Sequence, residues 1–269
     1  MIRIVFSDID GTFLTDDKRV TARTEQAVKE LLAQEIPFVL VSARMPEAIY
    51  PITDKMDVKI PLISYSGALV LTETGEELYS LTMDATLTEA FLKTVKQDFP
   101  QATVNYYAGH HWYVEDANDP RVVFEMKITE AVAEEGSFAE CLQRGICPHK
   151  ILLMMEPADC ERAERELQQR FLALNVVRSA PHLLEVMDAS VNKASGIEIM
   201  LQHFGIGAGE ALSFGDNYND LEMLRYTGTS VAMGNAPQPV KEAAGHFTLS
   251  NEEDGLCEYL VRQQLIPAV

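Results

Sequence analysis

Asp8 and Asp10 stand one residue apart at the end of the apolar run Ile4-Val5-Phe6-Ser7, and Gly11-Thr12 follow at once. Strand side chains alternate between faces, so the two carboxylates would share a face if the strand continued. Like charges that close need a cation, a shared proton or a turn that parts them. Three further polar clusters follow. They are Ser42 and Arg44 in Ser42-Ala43-Arg44, Lys193 in Val191-Asn192-Lys193-Ala194-Ser195-Gly196, and Asp216, Asn219 and Asp220 in Gly215-Asp216-Asn217-Tyr218-Asn219-Asp220. If they converge, they offer several carboxylates, one hydroxyl and one ammonium. Clustered carboxylate oxygens suit a hard divalent cation, and Mg2+ is the usual one where phosphate also binds. The lysine and hydroxyl suit phosphoryl oxygens instead. A carboxylate beside a metal-held phosphoryl group can be a nucleophile that forms an acyl phosphate. A second carboxyl two residues on could protonate the leaving oxygen and then take a proton from water.

Each residue also has a plainer reading. Aspartates after a strand often serve turns or caps. Asp220 is four residues from Asp216 and could be an early-helix charge favoured by the dipole. Ser42 could be a cap, Lys193 a solvated helix lysine, and Arg44 reads as a structural or rim arginine.

The elements that must position these residues follow from periodicity. Thr21 reads as an N-cap, with Ala27, Val28, Leu31 and Leu32 at helical spacing behind it. Phe38–Val41 is a buried-strand run ending at Ser42. Pro46 could start a helix with Ala48, Ile49 and Ile52 inward, and the next strand runs from Pro61 to Ser66. Strand, helix, strand, helix, strand at this spacing predicts a parallel sheet with right-handed crossovers. A hairpin around Gly75 comes next. Helices and antiparallel-looking strands then alternate as far as Met187, with two segments, around 122–126 and 138–142, hard to place. After Lys193 the α/β rhythm returns, with strands at 211–214 and 229–233 and a short edge strand at 246–249. The expected architecture is a Rossmann-like three-layer α/β/α core over 1–82 and 188–269, with an α+β insert over 83–187. In such a sheet ligands bind beyond the carboxyl ends of the strands, where the four clusters lie.

The chain has 269 residues, 47% of them hydrophobic, and a net charge of −19, so a folded, acidic protein is expected. That charge argues against nucleic acid or an anionic membrane as partner, since both call for a basic footprint. Cys141, Cys147, Cys160 and Cys257 include no CxxC pair, so neither zinc nor a disulfide framework is indicated. No run approaches the length of a membrane span, and a cytoplasmic setting is expected. The stretch Tyr106, Tyr107, His110, His111 and Trp112 reads first as a packed strand pair and second as a set of substrate contacts.

As an ordered set the clusters resemble the haloacid dehalogenase-like superfamily, in its Cof-type group of sugar phosphatases with an α/β cap. The resemblance rests on Asp8-Ile9-Asp10-Gly11-Thr12, on Ser42 after a strand, on Lys193 before a helix and on Gly215 to Asp220. Val231-Ala232-Met233-Gly234-Asn235-Ala236 and Glu253-Asp254-Gly255 add to it. It implies a Mg2+-dependent phosphatase of small phosphorylated metabolites, working through an aspartyl phosphate. Asp8 would be the nucleophile and Asp10 the general acid/base. Mg2+ would be held by Asp8, the Asp10 carbonyl and Asp216, with Asp220 nearby. Ser42, Lys193, Asn219 and backbone N–H groups near Asp10 and Ala43 would hold the phosphoryl group. The insert would be a mobile cap. Two departures from the group's pattern stand out. Ala43 replaces a frequent glycine and requires an ordinary backbone there, and Ser66 stands where many relatives have asparagine. A phospho-accepting signalling module and a phosphomutase are the alternatives. The first would be phosphorylated without turnover, and the second would return the phosphoryl group to an isomer.

Overall fold

The computed structural model describes residues 1–268 and contains two compact units. The first comprises Met1–Arg44, Ile52–Tyr79 and the chain from Asn192 onward; the second comprises Met45–Pro51 and Ser80–Val191.

The chain begins with β1 (Ile4–Asp8), α1 (Ala22–Ala33), β2 (Phe38–Val41), α2 (Tyr50–Lys55), β3 (Leu62–Ser64), β4 (Leu69–Leu71) and β5 (Glu77–Ser80). Thr21 caps α1 by accepting from the Thr24 N–H at 3.1 Å. The helix expected from Pro46 is split. Pro46–Ala48 form a single tight turn, and the helix proper starts at Tyr50. The strand expected to run to Ser66 stops at Ser64, because Tyr65 and Ser66 adopt left-handed backbone (φ 49° and 54°) and Gly67 has φ 111°.

The second unit holds α3 (Ala85–Asp98), β6 (Thr103–Ala108), β7 (His111–Val114), α4 (Pro120–Thr129), β8 (Glu134–Glu135), α5 (Phe138–Gln143), β9 (Lys150–Met154), α6 (Pro157–Arg170), β10 (Leu174–Ala180) and β11 (Leu183–Asp188). Its six strands run in the order β10-β11-β9-β6-β7-β8. One sheet face, with Tyr106, Ile151, Leu153, Leu184 and Val186, packs on Phe91, Val95, Cys160 and Leu167 from the helices. The two segments that periodicity left unplaced are α4 and α5.

The chain then returns to the first unit with α7 (Lys193–Phe204), β12 (Ala211–Gly215), α8 (Leu221–Tyr226), β13 (Thr229–Ala232), α9 (Gln238–Ala243), β14 (His246–Phe247) and α10 (Gly255–Arg262). The eight-stranded sheet has the order β14-β13-β12-β1-β2-β3-β4-β5. β1 is parallel to both β2 and β12, with Asp8 opposite Val41 and Ser7 opposite Phe214. Every residue of β1, β2 and β12 is buried, as apolar runs covered on both faces demand. One face packs Ile4, Phe6, Val39 and Val41 against Ile197, Met200 and Met223 of α7 and α8, and α1 lies against β2 beside α10. This is the three-layer α/β/α arrangement. Because β1 lies between the first-half strands and the returning ones, the order reverses there, and it is outside the carboxyl ends of strands at such a reversal that ligands bind in α/β sheets.

Candidate active site

Asp8 is the last residue of β1 and is buried, at 6% exposure. Lys193 is the first residue of α7, whose N-cap Asn192 accepts from the Ser195 N–H at 2.9 Å while the Ser195 hydroxyl accepts in return from the Asn192 N–H at 3.4 Å. This reciprocal cap fixes the helix start, and with it the root of the Lys193 side chain. The ammonium, 1% exposed, donates to Asp8 Oδ1 and, at 2.6 Å, to Asp220 Oδ1. Asp220 is fully buried; its Oδ2 accepts from the backbone N–H groups of Asp216 (2.9 Å) and Asn217 (3.0 Å). Both Asp220 oxygens are thus engaged by protein. It folds the loop after β12 and pairs with the lysine, and ligand capacity remains with Asp8 and Asp216.

Asp216 accepts from the Thr12 hydroxyl at 2.8 Å. The carboxylate fills the space above Gly11: a Cβ there would lie 2.4 Å from Asp216 Oδ2, and Gly11 has φ 87°. Glycine is required at the turn for both reasons. Oxygens of Asp8, Asp216 and Asp220 lie within 4.8 Å of one another. Three carboxylates and one ammonium leave an excess of negative charge in a buried place. Burial raises the Asp8 carboxyl well above its usual range, Lys193 opposes this, and the Asp220 and Asp216 charges add to it. Burial likewise pushes Asp216 up to about 6, against the Thr12 hydrogen bond. Burial disfavours the Lys193 ammonium, but Asp220 and Asp8 more than compensate and keep it charged. Such a donor set, all oxygen, anionic and short of counter-charge, fits a hard divalent cation.

Asp10 faces elsewhere. Arg44 grips it through two hydrogen bonds, Nε to Oδ2 at 2.8 Å and a terminal nitrogen to Oδ1 at 2.7 Å, and Lys18 Nζ donates to Oδ1 at 2.8 Å. Burial would raise its carboxyl, but Arg44 first and Lys18 second hold it at about 2. The pair at the strand end is therefore parted by the turn, Asp10 with Arg44 and Lys18 and Asp8 with the ammonium it shares with Asp220.

Ser42 is buried at the end of β2, its hydroxyl accepting from the Arg44 N–H at 3.1 Å. Its carbonyl accepts from the Ser66 N–H at 2.8 Å, and the Arg44 carbonyl from the Tyr65 N–H at 3.2 Å. The left-handed turn after β3 thereby holds the Ser42 loop. Ala43 keeps an ordinary negative φ, as a non-glycine residue there should. Asn219 is exposed in the single turn Tyr218–Asp220, and among the described residues no hydrogen bond ties its side chain to the cluster. The structure thus gathers Asp8, Lys193, Asp216, Asp220 and Thr12, places Asp10 and Ser42 on neighbouring strand ends, and leaves Asn219 at the rim.

Sequence reading missed Lys18 and the roles of Arg44 and Asn235, the last quoted only within the stretch that resembles the family. Lys18 lies in a polar loop with no distinguishing pattern. Asn235 had a signal: it follows β13, and strand carboxyl ends are where sites gather.

Among the described residues no helix is long and apolar enough to cross a membrane. The family model of haloacid dehalogenase-like hydrolases matches residues 5–260. A Haemophilus influenzae protein named as a candidate phosphatase is 37% identical over 268 residues, covering 99% of each chain. The 5-amino-6-(5-phospho-D-ribitylamino)uracil phosphatase YitU of Bacillus subtilis is 27% identical over 272 residues, covering 96% of each. A solved haloacid dehalogenase-like hydrolase from Bacteroides thetaiotaomicron superposes with a TM-score of 0.88 at 27% identity, over 98% of this chain and all of the other. With a strand-end aspartate pair, a buried lysine and an acidic loop joined as above, the chain belongs to the haloacid dehalogenase-like hydrolase family and is a phosphatase.

Proposed function

We propose that this phosphatase hydrolyses small phosphate monoesters, sugar or polyol phosphates foremost, through an aspartyl phosphate on Asp8 and with Mg2+ bound. The observation that carries the reading is the buried Lys193 bridging Asp8 and Asp220, with Asp216 alongside. The substrate class is supported by the relative named for a phosphoribityl compound. Mg2+, held by Asp8, Asp216 and the Asp10 carbonyl, would supply the positive charge that keeps Asp8 ionised and offsets the phosphoryl oxygens.

An Asp8 oxygen attacks phosphorus, and the bond to the ester oxygen breaks. Asp10, once protonated, gives its proton to the departing alkoxide. Water then attacks the acyl phosphate and returns a proton to the Asp10 carboxylate, which frees phosphate and restores Asp8. The anion that Arg44 and Lys18 stabilise is the form this second half needs. Lys193 and the Ser42 hydroxyl donate to phosphoryl oxygens, with the N–H groups near Asp10 and Ala43 beside them and Asn219 swinging in from the rim. The inserted unit is read as a cap that keeps bulk water from the bound ester.

Phosphate release from a panel of sugar and polyol phosphates tests this. Release should stop with a chelator and fall at least roughly 10³-fold in Asp8→Asn. Turnover preserved in Asp8→Asn would overturn the covalent route, and turnover in chelator would overturn the metal.

A further inference from the structure

We propose that Asn235 is a positioning residue for the cation site, acting through Asp216 and the loop after β1; this rests on the metal-dependent reading above. Asn235 Nδ2 donates to the Gly11 carbonyl at 2.8 Å and lies 3.4 Å from Asp216 Oδ2. Its Oδ1 accepts from the Asn251 backbone N–H at 3.3 Å. Asn251, itself buried, donates from Nδ2 to the Leu14 carbonyl at 3.0 Å and to Asp16 Oδ1 at 3.1 Å. Two asparagines from the end of the chain therefore hold both ends of the loop that carries Gly11 and Thr12.

Asp216 is steadied from two sides, by the Thr12 hydroxyl on Oδ1 and by Asn235 on Oδ2. Three neighbours fix the orientation of the Asn235 amide. A flipped group would set its NH2 against the Asn251 N–H and its oxygen against two acceptors. Its chemistry also matters. An arginine or lysine in this place would neutralise Asp216, whereas an amide orients the carboxylate and leaves its charge for a cation. Asn235 is exposed, so hydrogen bonding rather than burial is what it contributes.

Mn2+ serves as the probe, its free concentration read by electron paramagnetic resonance in titrations of the purified full chain. Asn235→Ala should weaken Mn2+ binding roughly tenfold. It should raise the Mg2+ needed for half-maximal turnover by a similar factor. Thr12→Val should also weaken binding. The double variant should lose less than the product of the two effects, because both side chains act on one carboxylate. Asn235→Ser, whose hydroxyl is too short to bridge both acceptors, makes the same comparison if the alanine variant fails to fold. Asn235 variants that bind Mn2+ like the original chain would overturn this inference alone. An original chain that binds no Mn2+ would overturn the metal reading, and this inference with it.

Discussion

Asp8 and Asp10 are chemically the same group in opposite surroundings, and that difference is what the proposed division of their roles rests on. Asp8 is buried against other carboxylates with one shared ammonium, so it awaits positive charge. Asp10 already has two cations, Arg44 and Lys18, and they hold it ionised. Environment decides the fate of a second titratable residue, this one in the inserted unit. His149, 4% exposed, accepts from the Gly109 N–H at Nδ1 (3.0 Å) and meets the Ser80 hydroxyl at Nε2 (2.9 Å). An acceptor nitrogen means a neutral ring, with its proton on Nε2. Burial, and secondarily His110, lowers its pKa from 6.5 to about 4. The unfolded chain therefore takes up the proton first as pH falls. The stabilisation is complete above 6.5 and is lost progressively down to about 4, to a total of about 3 kcal/mol. Urea unfolding of the original chain and of His149→Gln across that range should show the steeper acid loss in the original. Parallel pH profiles would contradict a buried neutral histidine.

Among the elements, the left-handed turn Tyr65–Gly67 has the widest reach. Its N–H groups hold the carbonyls of Ser42 and Arg44, and its glycine sits against the N-cap of α7. A Cβ on Gly67 would lie 2.3 Å from the Asn192 carbonyl oxygen, a backbone atom with little freedom. Gly67→Ala should cost about 3 kcal/mol, from backbone strain at φ 111° plus overlap, and should reduce activity further by shifting Lys193. Gly75→Ala is the control: φ is 82° but nothing lies within 4 Å, so only the strain of about 1 kcal/mol is expected. Equal losses in urea unfolding would show that Gly67 does not brace the helix. The sequence could not disclose this turn, since tyrosine and serine seldom take positive φ and the run reads as a continuing strand. For similar reasons α4 resisted placement, because Val123 and Phe124 are exposed and blur its apolar stripe. β8 is two glutamates with no strand character at all. By contrast β1, β2 and β12 were legible because burial on both faces writes unbroken apolar runs, the clusters at Asp8 and Asp216 because polar residues then had to mark the strand ends, and Lys193 because it opens a helix. Partners such as Lys18 on Asp10 were not, since which loop cation meets which carboxylate is decided by the finished fold.

At the scale of the whole chain, the candidate site brings together residues far apart in sequence: Asp8 and Thr12 at one end, Lys193, Asp216, Asp220 and Asn235 near the other. The central position of β1 in the sheet brings the two ends together, with the inserted unit between them in sequence. Forming that sheet gathers carboxylates that the unfolded chain keeps apart and hydrated. Folding without a cation therefore works against their repulsion, and a divalent ion that binds only the folded cluster must stabilise the fold by mass action. At one hundred times its dissociation constant, Mg2+ should add about 2.7 kcal/mol, read as a rise in thermal midpoint over the chelated chain. Asp216→Asn separates the two effects. Burial and the Asp220 charge disfavour an ionised group at 216, so without Mg2+ the amide variant should unfold at a higher midpoint than the original at pH 8. With Mg2+ the order should reverse, because on the proposed reading the variant lacks one of the cation's ligands. An equal Mg2+ shift in both chains would place the cation elsewhere, and no shift in either would mean that the acidic cluster is balanced by Lys193 alone.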